Sequence, residues 1–261
     1  MPTVDSDHAT IHYDVFGPED AEAIVFAHGA GGNGLSWWQQ VPYFAQDHRV
    51  VTFDHRSFGQ SRCEPGCFHT RYFRDDLLAI LDAEGIERAA LVCQSMGGWT
   101  GLPTALRSPE RVRALVLCDT PGGLVTDDIA KALAETASRL RTAGIGASAA
   151  LAPDYPKRQP EMAHLYGRIS SLNTAVEPNA LAALASPEAR IVPEDLADFA
   201  TPTLVIAGDE DLLFPAATLR GVAAIIPGAE YREFPGCGHS VYFEAAALFN
   251  RTVQEFLAKH S

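Results

Sequence analysis

Apolar residues in this chain fall into short blocks that recur along most of its length. Ala23 to His28, Arg49 to Asp54, Ala89 to Cys93, Val112 to Cys118 and Thr203 to Ala207 have strand length and are mostly unbroken apolar runs. Glu230 to Phe234 is a weaker sixth. Such runs fit a parallel sheet covered on both faces, where neither side of a strand meets water. Ala9 to Phe16 differs, because Ile11, Tyr13 and Val15 alternate with His12 and Asp14. That alternation predicts an antiparallel hairpin at the sheet edge. Between the runs the period changes. Phe73, Leu77, Ile80 and Leu81 recur at helical spacing and predict an amphipathic helix over Arg71 to Glu84, stopped by Gly85. Ser240 to Lys259 repeats the pattern through Phe243, Ala247, Phe249, Val253, Phe256 and Leu257. Strand and helix in alternation predict a three-layer α/β fold with right-handed crossovers.

One stretch breaks the rhythm. From about Thr120 to Ala200 no strand pattern occurs, and Ala/Leu-rich helical patterns are separated by Pro153, Pro156, Pro160, Pro178, Pro187 and Pro193. A connection of that length exceeds an ordinary crossover several-fold. The expected organisation is therefore a core built from residues 1–119 and 201–261, with 120–200 as a helical cap over one end of the sheet.

Composition rules out more than it suggests. At 261 residues and 28.1 kDa, the chain should expose roughly 11,000 Å² folded against about 41,000 Å² unfolded. Burying nearly three quarters of its surface, it needs no disulfide or metal to stay folded. Twenty basic against 33 acidic side chains leave a net charge of −13. That balance argues against a nucleic-acid partner and against docking on anionic lipid, both of which are held by Lys and Arg. The N-terminus lacks the basic start and apolar stretch of a signal peptide, and no segment has the length of a membrane span. Cys93 and Cys118 end apolar runs and read as buried thiols. Cys63 and Cys67 share a loop where a bridge or half a metal site would fit, but no second Cys or His pair completes one. A reducing cytoplasm is the expected location. His8, His12, His48, His55, His69, His164 and His260 show no paired metal spacing and receive no role. Trp37 and Trp38 read as packing residues.

Chemistry concentrates at the strand ends. In Leu91-Val92-Cys93-Gln94-Ser95-Met96-Gly97-Gly98-Trp99 an apolar strand runs into Ser95 and a helical pattern follows at once. This is the layout of a nucleophile elbow, a serine on a strained strand-to-helix turn with small residues where the two backbones close in. Cys93 stands where the G-x-S-x-G pattern has its first glycine. The glycine-rich loop His28-Gly29-Ala30-Gly31-Gly32-Asn33-Gly34 follows the first central strand. There the N–H of Ala30 could face a developing oxyanion beside that of Met96. A dinucleotide fingerprint fits this loop less well, even with Asp54 near the right distance. After the fifth and sixth runs come Gly208-Asp209-Glu210-Asp211-Leu212-Leu213-Phe214-Pro215 and Pro235-Gly236-Cys237-Gly238-His239-Ser240. The order Ser95, Asp211, His239 supplies a nucleophile, an orienting acid and a base. Asp119, at the end of the fourth run, is the alternative acid.

On these motifs the chain resembles the α/β-hydrolase superfamily over nearly its whole length. Asp54-His55-Arg56-Ser57-Phe58-Gly59-Gln60-Ser61 is similar to that family's D-x-R-G-x-G-x-S stretch, with Ser57 where glycine is usual. Within it the chain looks most like small capped esterases and enol-lactone hydrolases of the 3-oxoadipate enol-lactonase type. The resemblance implies a cofactor-free, metal-free serine hydrolase acting on a small ester or lactone. Ser95 disfavours the dehalogenases and epoxide hydrolases, which carry aspartate at the elbow. Cofactor-free lyases and dioxygenases keep the same three residues and stand as the alternative, ahead of a non-catalytic ligand-binding module.

Overall fold

A computed structural model describes residues 2–143, 147–176 and 180–260. Its strands are β1 (Thr3–Ser6), β2 (Ala9–Phe16), β3 (Ala23–Ala27), β4 (Arg49–Phe53), β5 (Arg62–Cys63), β6 (Ala89–Gln94), β7 (Val112–Cys118), β8 (Thr203–Gly208) and β9 (Glu230–Phe234). They form one sheet in the order β1-β2-β4-β3-β6-β7-β8-β9, with β5 paired to β2. The block from β4 to β9 is parallel. β1, β2 and β5 pair antiparallel at the edge where the alternating pattern lies. Helices are α1 (Val41–Phe44), α2 (Phe73–Ala83), α3 (Gly98–Arg107), α4 (Asp127–Ala143), α5 (Tyr155–Arg158), α6 (Pro160–Ser170), α7 (Ala216–Ile225), α8 (Val241–Glu244) and α9 (Ala246–Ala258). Among the described residues no helix is long and apolar enough to cross a membrane.

The unbroken apolar runs are explained by two cores, one on each face of the sheet. Along β3, Val25 and Ala27 join one core while Ile24 and Phe26 join the other. Leu91 and Cys93 on β6 split in the same way from Ala90 and Val92. Leu77, Ile80 and Leu81 of α2 cover the first face with Leu102 of α3 and Leu219 of α7. Phe249, Val253 and Phe256 of α9 cover the second, each worth roughly 1.5–3 kcal/mol of burial.

Three details depart from the periodic reading. The predicted helix over Ser240 to Lys259 breaks at Ala245 (φ −129°, ψ 43°). The carbonyls of Tyr242 and Phe243, which would continue the helix, instead accept Gln40 Nε2 at 2.9 Å and Gln39 Nε2 at 3.2 Å. The helix expected from Met96 begins with a 3₁₀ turn, Ser95–Gly97, before α3. The two-residue β5 is too short to leave a periodic trace. Residues 120–200 hold no strand among those described; an isolated bridge joins Leu124 to Ile191.

Candidate active site

Ser95 leaves the end of β6 with φ +48°, in the left-handed region where a non-glycine residue stores about 1–3 kcal/mol of strain. The turn is held by close approach on both sides. A Cβ on Gly97 would lie 2.2 Å from the carbonyl oxygen of Ala27, so only glycine lets the elbow settle against β3. Gly101 makes the matching space for Cys93, whose Sγ lies 2.4 Å from where a Cβ on that glycine would be. The cysteine that departs from the usual motif is thus accommodated by a glycine one turn into the following helix.

The loops after β8 and β9 meet the elbow. His239 Nε2 lies 2.8 Å from Ser95 Oγ, and His239 Nδ1 lies 2.9 Å from Asp211 Oδ2. The other carboxylate oxygen of Asp211 accepts the N–H groups of Leu213 at 2.7 Å and Phe214 at 3.0 Å, which fixes its plane. Burial opposes a charged ring at His239, but the charge and hydrogen bond of Asp211 outweigh it. The imidazole pKa is raised above its usual value, with Asp119 and Glu244 adding to the effect. Asp119 sits elsewhere. Its carboxylate accepts Gly208 N–H at 2.9 Å, Val241 N–H at 3.3 Å and the Cys118 thiol at 3.1 Å. Burial first, then the neighbouring charge of Asp211, pushes its carboxyl up to about 7. Of the two candidate acids, Asp211 holds the histidine and Asp119 braces the backbone beneath it.

Ala30 packs against a cluster of Phe58, Phe68, Phe73, Met96, Trp99 and Ala189, which Val176, Leu184 and Phe214 also join. This apolar group borders the elbow from the side of the glycine-rich loop. The loop is held from below by His28. Nε2 of that residue accepts the His55 N–H at 2.9 Å, so its proton must sit on Nδ1, 2.8 Å from the Gly29 carbonyl. Burial lowers the His28 pKa, consistent with this neutral ring. Asp54, the acid at dinucleotide spacing, is spent on structure: its two oxygens accept Gly34 and Gln60 N–H groups at 2.7 Å each. Ser57, where the family pattern has glycine, adopts φ +67°. Trp37 is buried against Phe26 and Tyr242, as a packing residue should be, whereas Trp38 is 38% exposed. Cys63 and Cys67 are not joined in a disulfide.

Four side chains at the site make contacts that have no local signal in the sequence. Gln94 Nε2 donates to the His239 carbonyl at 2.8 Å. Asn173 Nδ2 donates to Gly31 O at 2.9 Å, and its Oδ1 accepts Gly59 N–H at 2.9 Å. Glu244 accepts Ala152 N–H and Gly238 N–H, both at 3.0 Å. Ser240 Oγ donates to the Tyr166 hydroxyl at 2.9 Å. All but the bond from Gly238 to Glu244 join segments far apart in the chain, and no spacing rule covers any of them.

The sequence and the fold match a known family. Residues 22–154 and 158–246 match the family model described as alpha/beta hydrolase fold. The chain belongs to the alpha/beta hydrolase family. Among its relatives, a Caulobacter sp. (strain K31) protein named as a carbamate hydrolase, RutD, is 31% identical, with 98% of this chain and 97% of that protein covered. A namesake from Variovorax paradoxus (strain S110) is 29% identical over 96% of this chain and 97% of its own. Among solved structures, the enol-lactonase from Burkholderia xenovorans LB400 superposes with a TM-score of 0.81 at 27% identity, covering 98% of this chain and 100% of its own. Est816, described as an N-acyl homoserine lactone degrading enzyme, gives the same values. This chain is thus a hydrolase of the alpha/beta fold with lactonase and carbamate hydrolase relatives.

Proposed function

We propose that this chain is a serine hydrolase that cleaves a carboxylic ester or lactone of a small, largely apolar substrate. The observation that carries the reading is the continuous chain Ser95 Oγ, His239 and Asp211, with links of 2.8 and 2.9 Å. Ser95 Oγ attacks the carbonyl while His239 takes its proton and Asp211 stabilises the imidazolium. The N–H groups of Met96 and Ala30 receive the oxyanion. His239 then protonates the leaving alkoxide, and a water it deprotonates releases the acid from Ser95. The apolar group of Phe58, Trp99, Leu184 and Phe214 supports an apolar substrate. The lyase or dioxygenase alternative keeps the same three residues, so hydrolysis of an ester or lactone decides between the two. Residues 120–200 act in this reading as a cap, supported by the contacts of Tyr166, Asn173 and Leu184 with Ser240, Gly31 and Trp99.

Chromogenic acyl esters, simple lactones and aryl carbamates test the reading together, since all three present an acyl carbonyl to the serine. Ser95→Ala should lower turnover by about 10³-fold or more and leave the fold intact. A fluorophosphonate probe should label Ser95 alone. Labelling elsewhere, or full activity in the alanine variant, ends the proposal.

A further inference from the structure

The loop with Cys63 and Cys67 holds half a metal site by sequence, and the fold brings the other half to it. We propose that His8, Glu64 and Cys67 bind a divalent cation of the zinc class at the turn between β1 and β2. Their ligand atoms all lie within 4.8 Å of one another. His8 Nδ1 and Glu64 Oε2 are 3.2 Å apart, against about 3.3 Å for the edge of a tetrahedron with 2.0–2.1 Å metal bonds. The sulfur lies within 4.8 Å of both, so it has at most about 1.3 Å to move to reach the edge set by a 2.3 Å Zn–S bond. His8 and Glu64 are exposed and Cys67 partly so, which leaves their side chains free to make that adjustment.

The main chain beneath these side chains is already fixed. Glu64 N–H donates to His8 O at 2.9 Å, and Cys67 N–H donates to Glu64 O at 3.0 Å. The buried guanidinium of Arg56, paired with Asp76, donates to the carbonyls of Asp7 at 3.3 Å and Cys67 at 2.8 Å. Cys63 pairs with Ala9 across β5 and β2. The backbone beneath all three ligands is therefore set before any ion arrives, and only the side chains remain to be ordered.

A second observation comes from the far side of the imidazole. Asp7 Oδ1 stands 3.6 Å from His8 Nε2, on the nitrogen that does not face Glu64. Carboxylate behind a metal-bound histidine fixes the tautomer and raises the basicity of the ligating nitrogen. The donor set selects the ion. Thiolate with imidazole and carboxylate suits zinc or cobalt and not magnesium or calcium, which take oxygen ligands. Binding replaces the thiol proton of Cys67, which leaves to solvent, and water completes the coordination.

Cobalt(II) reads this directly, because a thiolate bond to cobalt gives a near-ultraviolet charge-transfer band. The whole chain, reduced and stripped with EDTA, should bind one Co²⁺ with that band, and Zn²⁺ should displace it. Cys67→Ser should abolish the band. His8→Asn, which tolerates the φ of +64° at this position, and Glu64→Gln should each weaken zinc binding at least tenfold by calorimetry. Cys237→Ser should change nothing. No band in the wild type, a band that survives Cys67→Ser, or one abolished by Cys63→Ser overturns the assignment.

Discussion

Asp211 and Asp119 are both buried acids close to one histidine, and their different partners predict opposite outcomes for the same substitution. Asp211→Asn should cost turnover by about 10⁴-fold with the fold kept, because the amide favours the wrong imidazole tautomer. Asp119→Asn should cost far less turnover and show up mainly in stability. The pH profile adds a sign. A base must be neutral to accept the serine proton, and the His239 pKa is raised above 6.5. The acidic limb of kcat/KM should therefore lie above 6.5 in the wild type, and should move down in Asp211→Asn, where the charge that raises it is gone. Ser95, Asp211 and His239 were legible because each lies within five residues of the end of a strand run, so strand ends placed them without tertiary information. Gln94, Asn173 and Glu244 were not, since their partners lie from 6 to 145 residues away and depend on loops meeting in space.

At the scale of elements, the strand runs carried most of the fold. β7 and β9 fall where the apolar pattern ended, and β3, β4, β6 and β8 differ by a single residue at one end. Helix ends were harder, because glutamine side chains from the β3–β4 connection terminate α8, and no helical period reports a cap that distant. Packing between the elbow strand and α3 can be tested as a pair. Gly101→Ala should destabilise by about 1–3 kcal/mol through its clash with Cys93. Cys93→Gly in the same chain should recover only part of that loss in urea unfolding, because Leu115 Cδ1 lies 2.8 Å from the new methyl group. Asn173 joins the stretch after α6 to both the glycine-rich loop and the loop after β4. Asn173→Ala should lower kcat by roughly tenfold and stability by about 1–3 kcal/mol, because the Gly31 carbonyl and Gly59 N–H lose their partner.

Across the whole molecule, Glu244 makes stability depend on pH. Burial pushes its carboxyl up to about 7 from a usual 4.5, against the pull of its backbone hydrogen bonds. A carboxyl raised on folding contributes stability that is full below about 4.5 and is lost as pH rises through about 7. The difference in Tm between the wild type and Glu244→Gln should therefore shrink from pH 4.5 to 7.5, while each protein's own curve also carries the other buried groups. A difference that grows with pH would contradict the assignment. The same carboxylate has a kinetic consequence. One oxygen grips Ala152, the other Gly238, next to the proposed base. Withdrawing that one side chain would release both N–H groups together, which ties the turn before α5 to the loop that carries His239. Amide exchange should find Ala152 and Gly238 opening at one common rate in the wild type and at two separate rates in Glu244→Gln.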